Sequence, residues 1–103
     1  MMQGDSYRLK VEILDNKNVV VTPADITDVE ITIGYLKKTY TNNEVTYDGG
    51  LERWLFPLTQ AETFKYPPTK VKAQVRVVWN DGRVEGASLG YVNVLESISK
   101  EVL

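Results

Sequence analysis

The sequence predicts an all-β fold, a sandwich of about seven short strands with one short helical crossover. Three observations carry this. Lys70 to Trp79 alternates almost without fault, with Val71, Ala73, Val75, Val77 and Trp79 on one side and Lys70, Lys72, Gln74 and Arg76 on the other. That period of two is what a half-buried strand requires. Turn-forming groups such as Asp15-Asn16-Lys17-Asn18, Asp48-Gly49-Gly50 and Asn80-Asp81-Gly82-Arg83 punctuate the chain at short intervals. Between them no apolar pattern repeats at helical spacing for more than about two turns.

The elements follow in order. Met1 to Asp5 reads as a flexible lead. Ser6 to Leu14 is the first strand, with Tyr7, Leu9, Val11 and Ile13 facing inward. Val19 to Thr22 is a short β-branched strand closed by Pro23, which cannot donate to a ladder. Ala24 to Asp28 is a connection with a turn of 3₁₀ helix. Val29 to Leu36 is a strong strand that points Val29, Ile31, Ile33 and Tyr35 inward. Gly34 is a bulge or close-approach position within it. Lys37 to Asn43 begins a solvent-facing loop or edge. Glu44 to Tyr47 is a brief strand, and Leu51 to Leu58 alternates through Trp54, Phe56 and Leu58. Thr59-Gln60-Ala61-Glu62 has the capping-box pattern of a helix start, and Tyr66-Pro67-Pro68 stops that helix early. Lys70 to Leu95 is a hairpin in which Asp81-Gly82 supplies the positive φ angles of a tight turn. Its second arm loses alternation from Gly86 to Gly90, where a bulge is expected. Ser97 to Leu103 reads as a frayed tail with a helical turn. A helical crossover before the penultimate strand fits an immunoglobulin-like sandwich over residues 1–103, although the Cys-Trp-Cys hallmark of antibody domains is absent.

Composition narrows the function. With no histidine and no cysteine, the commonest general base, the commonest transition-metal ligand and all thiol chemistry are missing. The 14 carboxylates lie mostly in turns (Asp15, Asp25, Asp28, Asp48, Asp81) or on solvent faces (Glu12, Glu30), where charge normally sits. Oxygen-only calcium binding at Asp48-Gly49-Gly50 lacks the Asp-x-Asp-x-Asp-Gly pattern that would make it specific. The Ser and Thr residues have no histidine to activate them, and the glycines form no phosphate loop. No catalytic, cofactor-binding or metal-ligating residue is assigned, and an enzyme is not expected. A net charge of −2 argues against a nucleic-acid partner. Apolar runs of about three residues argue against a membrane span, and no signal peptide is expected. The aromatics Trp54, Phe56, Trp79, Tyr7 and Tyr35 are assigned to the core, while Tyr40, Tyr47 and Tyr66 are less clearly buried. The strip Lys70, Lys72 and Arg76 is the wet face of a strand, suited to discourage edge pairing or to meet an acidic neighbour.

A resemblance adds to this reading. The chain opens with Gly4-Asp5-Ser6-Tyr7, carries Val45-Thr46-Tyr47-Asp48 and then Trp54-Leu55-Phe56-Pro57-Leu58-Thr59-Gln60-Ala61-Glu62-Thr63. It ends through Val75-Arg76-Val77-Val78-Trp79-Asn80-Asp81-Gly82 and Gly90-Tyr91-Val92-Asn93-Val94. In order and spacing this resembles the N-terminal domain of phage baseplate upper proteins, found in tailed phages and prophages of Gram-positive bacteria. The resemblance implies a β-sandwich adaptor that docks onto the tail hub and carries receptor-binding parts further out, though no coiled coil or receptor-binding module is expected within residues 1–103. It implies a virion structural protein, made in the host cytoplasm and placed in the tail. Its partners would be other tail or baseplate proteins, through ring docking or as a homo-oligomer. The competing expectation is a carbohydrate- or partner-binding β-sandwich module at a bacterial surface, which would need a planar row of exposed aromatics.

Overall fold

A computed structural model describes residues 1–97. Seven strands among them form two antiparallel sheets. The first sheet holds β1 (Tyr7–Val11), β5 (Arg53–Leu58) and β4 (Thr46–Asp48), in the order β1-β5-β4. The second holds β3 (Leu36–Thr39), β2 (Ile26–Ile33), β6 (Lys70–Trp79) and β7 (Val84–Asn93), in the order β3-β2-β6-β7. The helix α1 (Gln60–Phe64) carries the chain from one sheet to the other. The fold is the all-β sandwich that the alternation predicts. Its two sheets follow the B-E-D and G-F-C-C′ orders of an immunoglobulin sandwich.

The central strand β6 shows why. Val71, Ala73, Val75 and Val77 are buried, and Lys70, Lys72, Gln74 and Arg76 are exposed. Each of the three valines contributes about 1.5 kcal/mol or more by leaving water. They meet Val29, Ile31 and Ile33 of β2 on the same sheet and Trp54, Phe56 and Leu58 of β5 from the other, all in one continuous core. The indole N–H of Trp54 donates to Val21 O at 2.9 Å, so this fully buried ring leaves no polar atom unpaired.

α1 begins with the reciprocal cap that Thr59 and Glu62 predict. Thr59 Oγ1 accepts from Glu62 N at 3.2 Å, and Glu62 Oε1 accepts from Thr59 N at 2.8 Å. The 3₁₀ turn falls at Pro23–Asp25, inside the expected connection. At the main hairpin only Gly82 takes positive φ (+90°); Asp81 does not. The loop is three residues long, closed by Trp79 N–H to Arg83 O at 2.9 Å and Gly82 N–H to Trp79 O at 3.0 Å. The Asp81 carboxylate accepts from Arg83 N and Nε instead. The bulge in β7 lies at Leu89, between the pairs Ala73–Gly90 and Gln74–Ser88.

Several expectations are corrected. Val19 to Thr22 forms no strand; it makes a single bridge between Val20 and Leu14, with Val21 buried. Strand β2 begins earlier, at Ile26, and ends before Gly34. Gly34 is the left-handed corner (φ +59°) of a tight turn, since Ile33 pairs with Leu36; it is not a bulge but the close-approach position that was the other expectation, since a Cβ there would lie 2.6 Å from Val71 Cγ1. The turn throws Tyr35 outward, 51% exposed, and sends Leu36–Thr39 back as an edge strand where a loop or edge was expected. Tyr7, at the start of β1, is also exposed, because the core ends at Leu58 beside it. Trp79 is only half-buried, at the edge of the core. Tyr66, one of the less clearly buried aromatics, is among the largest fully buried side chains. The N-terminal lead is held in place. Leu95 N–H donates to Met1 O, Gln3 N–H donates to Leu95 O, and Gln3 Nε2 donates to the buried Tyr66 O at 2.7 Å. The helical turn expected after Ser97 lies outside the described residues.

Candidate interaction surface

The carboxylates that the sequence places in turns are engaged there by backbone amides. Asp15 Oδ1 accepts from Lys17 N and Val19 N, and Asp28 Oδ1 accepts from Val29 N and Thr41 N. Asp48 Oδ1, at the candidate calcium loop, accepts from Gly50 N at 2.9 Å and Leu51 N at 3.1 Å. The bonds at Asp15 and Asp48 stabilise their own turns, while Asp28, on β2, reaches across to the loop at Thr41; all direct these oxygens toward backbone amides. Among the described residues no group of three or more acidic side chains is placed to hold a metal ion. No helix there is long and apolar enough to cross a membrane.

One polar cluster is built deliberately into the body. Lys38, on the edge strand β3, turns inward and is 9% exposed. Its Nζ donates to Pro57 O at 2.6 Å and to Glu62 Oε1 at 3.1 Å, and it stands 5.4 Å from the centre of the Phe56 ring. The ammonium therefore ties the edge of one sheet to β5 and α1 of the other. Desolvation alone would raise the Glu62 pKa, but the Thr59 N–H and the Lys38 ammonium together hold it below the usual carboxylate range. Tyr35 crosses above, its hydroxyl donating to Glu62 O at 2.7 Å, and its ring tilts against Tyr66 with centroids 4.9 Å apart. Burial, with a smaller contribution from the Glu62 charge, raises the Tyr35 pKa. Burial raises that of Tyr66 further, and its hydroxyl donates to Ile33 O at 2.6 Å. With every member bonded to a neighbour, the cluster acts as a clasp between the sheets. Its sequence signal was weak: Lys38 looks like any polar residue of a loop, and only pairing with β2 turns it inward.

The aromatics divide likewise. Trp54 is enclosed by Tyr40 and Tyr47, at 5.4 and 5.1 Å between centroids. It is thus unavailable as a sugar platform. Trp79 carries the Arg83 guanidinium 5.7 Å from its ring centre, over one face. Exposed apolar side chains are spread over the surface, Tyr7, Val19, Tyr35 and Leu51 among them; on the β7 side they are Val84, Tyr91 and Leu95, at 56%, 69% and 56%. The strip Lys70, Lys72 and Arg76 stands beside them on β6, and among the described residues none of the three has an ion-pair partner.

These features define a β-sandwich with an enclosed core, an internal clasp and one long open flank. No family model, no curated protein and no solved structure matches this chain.

Proposed function

We propose that this chain is a non-catalytic assembly module of a phage or prophage tail, seated in the baseplate by protein–protein contacts. The tail assignment rests on the resemblance of its Gly-Asp opening, its Leu58-Thr59-Gln60-Ala61-Glu62-Thr63 turn and its Asp81-Gly82 hairpin to the baseplate family. One observation supports the assembly half: β7 is a ten-residue edge strand with a single charged side chain, Glu85. Strand edges left long and uncharged invite pairing with another chain, and free-standing proteins usually shorten, charge or cover them.

The test is mass spectrometry of purified tail particles from an induced culture of the source strain. Peptides of this chain at fixed stoichiometry with other tail proteins are expected. Their absence from intact tails, with the protein abundant elsewhere in the lysate, refutes the reading.

A further inference from the structure

The hydrogen-bond direction along β7 can be followed from the hairpin. Trp79 and Arg83 form a bonded pair. In an antiparallel ladder bonded and non-bonded pairs alternate. Glu85 and Ala87, opposite Val77 and Val75, therefore bond to β6. The N–H and C=O groups of Val84, Gly86 and Ser88 then point away from β6, along the open edge. At its other end the edge is already used: Met1 to Gln3 lies beside residues 93–95 as a short added strand, with Met2 bridged in parallel to Leu95. The chain itself thus shows that this edge accepts strand addition, and the addition stops before Val84–Tyr91.

The two faces of the open stretch differ. On the outer face, Gly86 and Ser88 are small and leave a depression of about 240 Å³, lined with Glu30, Thr32, Gln74 and Arg76. Arg76 lines it and Lys72 follows along β6; among the described residues neither has an ion-pair partner, and their long stems can reach across small neighbours to an added strand. Glu30 lies on the opposite side of β6, so the open edge is the cationic side. On the inner face the flank opens onto a mixed depression, apolar at Ile13, Leu14, Val75, Val77 and Ala87 and polar at Asp15, Asn16 and Glu85. Leu14 is 43% exposed there.

We propose that Val84–Ser88 is a strand-addition site for an extended partner segment in which acidic residues alternate with apolar ones. The acids lie on the outer face beside Lys72 and Arg76, and the apolar side chains cover Leu14 and its neighbours. A second copy of the chain fits less well. Pairing about a two-fold axis would set Gly86 against Gly86 and align two cationic strips on one face with no acid between them. The inference deepens the assembly reading and takes its biological sense from it, but it is tested apart from it.

The experiment is a titration of the labelled full chain, followed by NMR. The probe is a capped eight-residue peptide alternating glutamate with valine; the control alternates lysine with valine. Saturable shifts of the Val84, Gly86 and Ser88 amides are expected, weakening as salt is raised. Affinity for the lysine peptide should be lower by about tenfold or more. Gly86→Pro removes an outward N–H while leaving the β6 ladder intact, and should abolish the shifts without changing the melting curve. Arg76→Glu, which does not depend on proline being accommodated, should invert the preference between the two peptides. Equal binding of both peptides, shifts confined to another surface, or no binding would overturn the proposal. So would self-association through the same amides without peptide. Binding by a chain absent from tail particles would instead refute the tail reading and leave this site standing.

Discussion

Replacing Gly34 by alanine tests the packing of the sandwich at a tight corner. A Cβ built there would lie 2.6 Å from Val71 Cγ1 and 2.9 Å from Tyr66 Cε1. Neither neighbour can retreat easily: Val71 is a core residue of β6, and the Tyr66 ring is fully buried and pinned by its hydroxyl to Ile33 O. The backbone contribution is modest, since φ of +59° is the left-handed region that alanine enters for about 1 kcal/mol. Overpacking adds about 1–3 kcal/mol. The sum is about 2–4 kcal/mol, and a chain of this size loses about 0.2 kcal/mol per degree near its midpoint. The expected fall in Tm is therefore about 10–20 °C. Gly82→Ala supplies the control. Its φ of +90° is no easier for alanine, but nothing lies within 4 Å of its Cβ position. Thermal melts by circular dichroism, with urea unfolding for the free energy, measure both variants. A Gly34→Ala loss no greater than that of Gly82→Ala would refute the steric argument. In the double variant with Val71→Ala, the two losses should sum to less than their separate values, because the shorter contact is relieved.

Three further outcomes follow from the clasp and the N-terminal tether. Tyr66→Phe removes the buried 2.6 Å bond to Ile33 O and should cost about 1–2 kcal/mol in urea unfolding, with the near-ultraviolet spectrum retained. Lys38→Met keeps the apolar stem but strips Pro57 O and Glu62 of their cation, at about 1–2 kcal/mol given the pair's partial exposure. The same variant changes the acid limb of the stability curve. The folded-state pKa of Glu62 is lowered, so its contribution is fully present above the unfolded value of 4.5 and is lost as pH falls through the folded one. With Lys38 gone that loss should shrink, and unchanged acid sensitivity in pH-resolved melts would contradict the pairing. Thr63→Val breaks the bonds from Gly4 N at 2.9 Å and to Asp5 O at 2.8 Å, and should speed amide exchange across Gln3 and Gly4 before it alters β6.

Local chemistry in the sequence determined the strands whose two faces meet different media. β6, β5 and the inner part of β2 are legible because a half-buried strand must alternate, and the Thr59–Glu62 cap is legible because both partners lie within one turn of chain. The hairpin loop and the β7 bulge could be placed by glycine for the same reason. Tertiary structure alone decided the rest. Whether Lys38 faces water or the core depends on which strand β3 pairs with, and that pairing is set by the turn at Gly34. Tyr35 and Tyr66 differ little as residues, yet the same turn expels one and encloses the other. Val19–Thr22 has strand-forming side chains but only one bridging partner. The open edge of β7 is likewise invisible in composition, since a row of unpaired amides exists only once the other strands have taken their places, and it is there that the proposed strand addition resides.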